Sequence, residues 1–279
     1  MTWNKDKIIE LLLEAGEVAK ASKKNLRREF KADASIVTQA DREIEDLLSR
    51  ELESPQTGTY IIGEETVDSK GEDYVERALQ EECFVIDPID GTSPYAHGMP
   101  HWGVSVGRME AGVLTDGAVL LPEFGEMVVS DGDSVLGAVL EDGKWVWSQL
   151  ERQRNPLGDA ALVAITQGVA KRGQVHLKNP VQTLGAAVVP LVGMLQGRFL
   201  GYLGNVKLWD AAGSLPLILR QGLSAAVTTG EETRSIGPEV TDETYHLEAG
   251  SPERWKFRGD LLICHPEDEE KMRGAFIRG

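Results

Sequence analysis

Residues 84–93 read FVIDPIDGTS, an apolar run that continues directly into two acidic residues and then a turn. Carboxylates at the end of a buried strand cost free energy unless something neutralises their charge. The segment therefore predicts a cation bound beside Asp87 and Asp90. The alternative is an ordinary surface turn, because Asp-Pro and Asp-Gly pairs are also typical of turns.

Other acidic residues occur in the same context, at or near the end of a short apolar run. They are Asp41, Glu64, Glu65 and Asp210. In layered α/β proteins the ligands collect beyond the strand ends, so these side chains can converge. Carboxylates that share a pocket repel one another, and Mg²⁺, which prefers oxygen ligands, removes that repulsion. The combined pattern favours a magnesium site, although a pair such as Glu64-Glu65 taken alone is typical of a solvated surface.

The turn that follows the two aspartates has the residues of an anion site. Gly91 lets a ligand approach the backbone closely, and Thr92 or Ser93 can cap a helix that has Pro94 at its first position. The first N–H groups of a helix have no partner within that helix, and they bind phosphate readily. The segment thus predicts a phosphate site next to the metal.

Hydrophobic periodicity predicts an α/β (α+β) fold of layered sheets and helices. Apolar residues recur at helical spacing over Ile8–Ala19 and Ile44–Leu52, and Thr38 with Asp41 resembles a capping box. The predicted strands of the first half are 35–38, 60–62, 83–86, 102–109, 112–121 and 126–129, with a hairpin at 135–140 and 144–147. In the second half we predict strands at 160–165, 199–203, 225–228 and 261–264 and helices at 184–197, 209–221 and 266–273. The polar stretch 149–158 divides the chain into predicted halves 1–150 and 151–279.

Composition excludes several classes of protein. The 279 residues carry a net charge of −16, which repels nucleic acid polymers and anionic membranes. The most apolar long window, 184–203, contains Pro190, Gln196 and Arg198 and is too polar for a membrane span. The N-terminal stretch lacks a signal-peptide cleavage site, and the two cysteines form no CxxC pair, so we expect a cytoplasmic protein.

Four short motifs together resemble those of the inositol monophosphatase family, a group of magnesium-dependent, often lithium-sensitive phosphatases. The motifs are VTQAD at 37–41, GEE at 63–65, DPIDGT at 87–92 and WDAAG at 209–213. The resemblance covers nearly the whole chain, and it implies a layered αβαβα fold that is commonly a homodimer. It also implies a small phosphorylated metabolite as the substrate.

The resemblance implies two or three Mg²⁺ ions held by residues of these motifs. One ion would be held by Glu64, Asp87 and the carbonyl of Ile89, and a second by Asp87, Asp90 and Asp210. A third, looser ion would lie near Glu64, bound through water molecules.

The resemblance also implies catalytic and phosphate-binding roles. Thr92, paired with Asp41, would orient and help deprotonate a metal-bound water that attacks phosphorus in line. Backbone N–H groups of Gly91, Thr92 and Ser93 would hold the phosphate.

The implied substrate contacts are Gly185, Ala186, Ala187, Leu203 and Lys207, and some of them depart from the family pattern. Inositol-type enzymes have a glutamate where this chain has Leu203, and their arginine ahead of the Gly185 segment is not evident. Lys207 can meet a second anionic group. The substrate therefore stays open among inositol 1-phosphate, a 3′-phosphoadenosine nucleotide, fructose 1,6-bisphosphate and histidinol phosphate.

Three other interpretations are less consistent with the sequence. The GVSVG segment at 103–107 matches a serine-hydrolase pattern, but it lies within a predicted strand instead of a sharp turn. The two residues between Asp87 and Asp90 differ from the single residue of the DxDxT phosphatases. A non-catalytic metal- or phosphate-binding regulator would retain the fold, but Asp41 and Thr92 are both present.

Overall fold

The structure is a computed structural model that describes residues 3–23, 28–30, 36–230 and 232–278. Ser35, the first residue of the predicted strand 35–38, lies outside the described residues.

The structure has helices and strands at the predicted positions, and it has further short elements, such as the helices at 72–80 and 167–172, that the sequence analysis did not predict. The helices are α1 (Lys5–Ser22), α2 (Gln39–Leu52), α3 (Glu72–Gln80), α4 (Thr92–Ala96), α5 (Gln167–Arg172), α6 (Val188–Leu195), α7 (Leu208–Ala212), α8 (Leu215–Arg220) and α9 (Glu269–Arg273). The strands are β1 (Arg28–Phe30), β2 (Ile36–Thr38), β3 (Thr59–Gly63), β4 (Glu82–Asp90), β5 (Gly103–Glu110), β6 (Val113–Leu121), β7 (Glu126–Asp131), β8 (Ser134–Glu141), β9 (Lys144–Gln149), β10 (Leu162–Ile165), β11 (Gly173–Val175), β12 (Val181–Gln182), β13 (Phe199–Gly204), β14 (Ser224–Thr229), β15 (Glu232–Ser235), β16 (Asp260–Cys264) and β17 (Phe276–Arg278).

Two sheets carry the architecture of the described chain. The first has the strand order β3-β4-β5-β6-β7-β8-β9, and the second has the order β12-β10-β13-β16-β14-β15. Strands β3 and β4 are parallel, and from β4 to β9 every neighbouring pair is antiparallel. The polar stretch 149–158 connects the two sheets, and the division into two halves stays a prediction.

Helices form layers outside and between the sheets. Helices α1 and α2 pack on one face of the first sheet, α6, α7 and α8 lie between the sheets, and α5 and α9 cover the outer face of the second sheet. Three hydrophobic clusters fill the spaces between these layers. The arrangement is αβαβα, so the predicted fold class is confirmed.

The amphipathic pattern of the first two helices determines which face is buried. In α1 the side chains of Ile8, Leu11 and Leu12 are at most 2% exposed, and in α2 Ile44 and Leu48 are fully buried. Each buried leucine or isoleucine contributes about 1.5–3 kcal/mol relative to an exposed one. Hydrophobic burial therefore holds α2 against the first sheet and brings Asp41 to that sheet.

Several element boundaries differ from the sequence predictions, each for a local reason. The predicted helix at 209–221 is two short helices, α7 and α8, because the chain turns at Gly213 and Ser214. The predicted helix at 184–197 begins only at Val188, because Gly185 has a φ of +80°. Strand β4 continues past Ile86 to Asp90, with a shift in its register against β5 between Asp87 and Asp90.

The GVSVG segment lies inside β5, as predicted, and it forms no nucleophile turn. Ser105 is fully buried, and its hydroxyl donates a hydrogen bond to the carbonyl of Trp209 at 3.4 Å.

The described residues include no helix with the length and apolar character needed to cross a bilayer.

Two glycines of the first sheet allow α7 to lie directly on it. A Cβ atom on Gly107 would lie 2.5 Å from the carbonyl oxygen of Ala212, and one on Gly117 would lie 2.2 Å from that of Gly213. No side chain fits at these distances, so backbone packs on backbone. This close approach brings α7, which carries Asp210, to the end of β4.

We expect Gly117→Ala to lower the free energy of unfolding by about 1–3 kcal/mol, because the new methyl group must push α7 away from β6. Denaturant unfolding measures this loss. The control is Gly71→Ala, at an exposed position where a Cβ meets no atom within 4 Å. Equal stability of the two variants would contradict the close-packing argument.

Candidate metal centre

Three aspartates from two parts of the chain converge between the sheets. Asp87, Asp90 and Asp210 each offer a carboxylate oxygen, and these oxygens lie within 4.8 Å of one another. Asp87 and Asp90 come from β4, and Asp210 comes from α7. The structure thus brings together three of the residues that the sequence analysis proposed as metal ligands.

Hydrogen bonds hold two of these carboxylates and leave the third without a donor. The backbone N–H of Val188 donates to Oδ2 of Asp90 at 2.5 Å, and the N–H of Lys207 donates to Oδ2 of Asp210 at 2.7 Å. Asp87 is 1% exposed, and neither of its carboxylate oxygens accepts a hydrogen bond from an N–H or O–H group of the described residues.

Crowding and burial raise the pKa values of all three carboxyl groups. Burial is the main reason that the pKa of Asp87 lies well above its usual range, and the charges of Glu64, Asp90 and Asp210 raise it further. Burial and the charge of Asp210 likewise raise the pKa of Asp90. Asp210 is half-buried, and its poor solvation, with the charge of Glu64, raises its pKa to about 6.

The predicted catalytic pair, Asp41 and Thr92, is in hydrogen-bonding range. The hydroxyl of Thr92 lies 3.4 Å from Oδ1 of Asp41 and 3.2 Å from the carbonyl oxygen of Ile89, and it can donate to either. The N–H and hydroxyl of Thr38 donate to Oδ2 of Asp41 at 2.8 and 2.5 Å, which confirms the predicted capping box. Burial raises the pKa of Asp41 to about 6.

Glu64 lies at the edge of this acidic group. It follows the last residue of β3, and its backbone N–H donates to the carbonyl of Ile86 at 3.2 Å, directly before Asp87. Its negative charge raises the pKa values of Asp41 and Asp87, in each case after the larger effect of burial. These contacts place the GEE segment beside the aspartates, in agreement with the parallel pairing of β3 and β4.

The predicted phosphate-binding segment forms the turn between β4 and α4. Gly91 has a φ of +90°, and a Cβ there would lie 2.6 Å from the carbonyl oxygen of His101. Only glycine fits this position without strain. The N-cap of α4 is Gly91, so the predicted cap at Thr92 or Ser93 is wrong by one or two residues. Thr92 and Ser93 are instead the first residues of α4, where N–H groups have no partner within the helix.

A cleft of about 250 Å³ opens beside the carboxylates. Of the predicted substrate contacts, Gly185, Ala186 and Ala187 line it, together with Ser93. Leu203 instead lines a separate cavity of about 20 Å³.

The remaining predicted substrate contact, Lys207, has its ammonium group 4.9 Å from the centre of the Trp209 ring. The roles of Leu203 and Lys207 as substrate contacts stay predictions.

Two groups of residues at this site were not identified from the sequence. The residues 165–168, which include Thr166 and Gln167, form one wall of the cleft, and no motif marks them. Glu45 is fully buried on α2 beside the GEE segment. The signal in the sequence was an acidic residue one helical turn after Asp41, between the buried Ile44 and Leu48, where a carboxylate is rarely found unless it has a partner.

The site fits a divalent cation. Buried carboxylates at this spacing repel one another, and oxygen donors are the ligands that Mg²⁺ prefers. The two oxygens of Asp87 accept no hydrogen bond from the described residues, so they are ligand atoms that a cation would bind.

Comparison with known proteins now identifies the family. A model described as the inositol monophosphatase family matches residues 5–256. The chain belongs to the inositol monophosphatase family. It is accordingly a phosphoric monoester hydrolase, so the predicted family and enzyme class are confirmed.

Individual relatives are distant but extensive in coverage. Inositol-1-monophosphatase of Rhizobium meliloti strain 1021 is 29% identical over 209 residues, which cover 71% of this chain and 74% of that protein. The putative Nus factor SuhB of Neisseria meningitidis serogroup A is 28% identical over 215 residues, 74% of this chain and 79% of that protein. Among solved structures, an IMPase of Thermotoga maritima aligns with a TM-score of 0.69 at 19% identity, covering 96% of this chain and 94% of that one.

Removal of one charge from the cluster should stabilise the metal-free protein. In EDTA at pH 7.5 we expect Asp87→Asn to raise the melting temperature by about 2 °C or more, because it relieves repulsion equivalent to at least about 1 kcal/mol. Differential scanning calorimetry measures the shift. Asp133→Asn neutralises an exposed carboxylate and is the control; a lower melting temperature for Asp87→Asn would contradict the repulsion.

The same reasoning fixes the sign of the pH dependence. Asp41 and Asp210 have pKa values of about 6 in the folded protein and an ordinary value of 3.8. Their protonated forms favour the fold, so this stability is complete below about pH 4 and is lost as the pH rises through 6. In EDTA the melting temperature should fall from pH 5 to pH 8, and it should fall less for Asp87→Asn.

Proposed function

We propose that the protein is a Mg²⁺-dependent phosphomonoesterase that hydrolyses a small phosphorylated polyol or sugar. The observation that carries the proposal is the convergence of Asp87, Asp90 and Asp210 next to the Thr92–Asp41 pair. A group of carboxylates that needs a cation lies there beside a hydroxyl that can pass a proton to a carboxylate.

The proposed ligands of the ions are those that the resemblance to the family implies. Glu64, Asp87 and the carbonyl of Ile89 would hold one ion, and Asp87, Asp90 and Asp210 would hold a second. Mg²⁺ bound there would neutralise the carboxylates, increase the acidity of water and stabilise negative charge on the phosphate and leaving oxygens.

Thr92 and Asp41 would accept the proton that the attacking water loses. The Thr92 hydroxyl accepts a hydrogen bond from the water and donates its own hydrogen to Oδ1 of Asp41, now at 3.4 Å. Such catalytic hydrogen bonds are often long before the substrate binds. Thr38 holds the other oxygen of Asp41, so the carboxylate keeps its orientation during the transfer.

The start of α4 would bind the phosphate. The N–H groups of Gly91, Thr92 and Ser93 follow the metal-binding residues of β4 directly, so one phosphate can meet both. The alcohol that leaves would occupy the cleft, against Gly185, Ala186 and Ala187.

Other substrates of the same site stay as alternatives: a 3′(2′),5′-bisphosphate nucleotide, fructose 1,6-bisphosphate and histidinol phosphate. An alternative of another class is a non-catalytic regulator, and the name Nus factor SuhB of one relative is the reason to retain it. The presence of Asp41, Thr92 and the three aspartates supports the enzyme instead. Lithium sensitivity, a homodimer, a cytoplasmic location and the absence of a nucleic acid partner stay predictions.

Phosphate release from a panel of substrates at fixed Mg²⁺ tests the proposal. We expect turnover of at least one polyol or sugar monophosphate by the unaltered protein and by the control Asp133→Asn. Asp90→Asn should abolish turnover with the fold preserved, because it removes a ligand charge. Near-normal activity of Asp90→Asn would refute the metal scheme, and no release from any compound would favour the non-catalytic regulator.

Thr92→Ala should reduce kcat by about 10²–10⁴-fold, because the proton path from water to Asp41 is lost. Mg²⁺ affinity should change far less, since the hydroxyl is no metal ligand in this scheme. Steady-state kinetics and calorimetric Mg²⁺ titration measure the two effects. Thr92→Ser, which retains the hydroxyl, should recover most of the rate; an unchanged rate in Thr92→Ala would remove Thr92 from the mechanism.

A further inference from the structure

We propose that Glu45 is a positioning residue of the metal centre, which holds the Gly63–Glu65 turn so that Glu64 faces the aspartates. The inference rests on the proposed function, because it concerns the same site. It assigns a role to a residue of α2 that lies in none of the four motifs.

Glu45 shares a helix face with a member of the catalytic pair. It lies four residues after Asp41 on α2, so the two side chains project from the same side, one turn apart. Both are fully buried, and α2 packs against β3 and β4. The helix therefore directs one carboxylate at Thr92 and another at the end of β3.

The Glu45 carboxylate binds the backbone of the GEE turn. Its Oε2 accepts a hydrogen bond from the N–H of Glu65 at 2.8 Å. On the other side, the N–H of Glu64 donates to the carbonyl of Ile86 at 3.2 Å. Two successive amides are thus held, one by α2 and one by β4, and Glu64 has little freedom to rotate away.

The fit between Glu45 and the turn is close. A Cβ atom on Gly63 would lie 2.4 Å from both Cδ and Oε1 of Glu45 and 2.7 Å from Oε2. The carboxylate therefore lies directly against the backbone of residue 63, and only glycine leaves room for it.

Packing alone does not require a carboxylate at this position. Glu45 lies among buried apolar side chains of α2, where methionine or leucine would fill the space without the cost of a buried polar group. Burial raises the pKa of Glu45, as expected for a carboxyl group with little solvent. What an apolar side chain cannot do is accept the hydrogen bond of Glu65.

Removal of Glu45 should lower the affinity of the site for the metal ion, in addition to any effect on the stability of the fold. Residues that orient metal ligands typically change metal affinity by about 10–100-fold when they are removed. Glu45 would act in this way through Glu64, whose negative charge raises the pKa values of Asp41, Asp87 and Asp210.

Calorimetric titration with Mg²⁺ alone, together with kcat and KM at saturating Mg²⁺, tests the proposal. Glu45→Met fills the space but accepts no hydrogen bond, and we expect it to weaken Mg²⁺ binding by about 10-fold or more. Glu45→Gln retains an acceptor oxygen and should keep binding within about 3-fold of the unaltered protein. Glu43→Ala removes an exposed glutamate of the same helix and is the matched control.

A second route disturbs the same contact from the other partner. Gly63→Ala should push the Glu45 carboxylate away from the turn and weaken Mg²⁺ binding to a similar extent. Circular dichroism checks that each variant folds, and Glu45→Ala replaces Glu45→Met if methionine is not accommodated.

The outcomes separate this inference from the proposed function. Mg²⁺ affinity that is unchanged in folded Glu45→Met, or reduced equally in Glu45→Gln, overturns the role of Glu45 and leaves the metal site in place. An unaltered protein that binds no Mg²⁺ and releases no phosphate overturns both.

Discussion

The repulsion among buried carboxylates is the constraint on which the rest of this structure depends. Asp87, Asp90 and Asp210 lie close enough for their oxygens to share a cation, and burial, with the charges of neighbouring acidic residues, raises the pKa of each. A chain free to relax would separate them. The fold prevents this by fixing two aspartates on a strand inside a seven-stranded sheet and the third on a helix that packs backbone against backbone on that sheet.

Such an arrangement exchanges stability of the metal-free protein for a site that is ready to bind. Perturbed pKa values are concentrated at functional sites, because the fold holds reactive groups in buried positions and close to like charges. The cost is distributed over well-packed elements. Helix α2 buries its apolar face on the first sheet, and the same helix presents Asp41 and Glu45 to the site. The packing of the layers thus offsets the repulsion among the carboxylates at the site.

The differences between sequence prediction and structure have physical causes. The apolar run ends at Ile86, but β4 continues through Pro88 to Asp90 because β5 pairs with it at Asp87 and Asp90. The region 209–221 has a helical pattern throughout, yet the chain turns at Gly213, where the backbone must lie on Gly117. Leu203, a substrate contact that the family pattern implies, lines a different cavity from the cleft, and its role stays a prediction.

The sequence by itself determined the local features and the chemistry. Alternating and helical apolar patterns indicated the layers, Thr38 and Asp41 indicated a cap, and the acidic motifs indicated hard-cation ligands. Only the tertiary structure decided which acids meet, because Asp87 and Asp210 are far apart in the chain and come together through sheet pairing and glycine contacts. It also decided the contacts of Glu45 and the wall formed by Thr166 and Gln167. These residues lie in no motif, so their roles can be inferred only from the neighbours that they have in the folded chain.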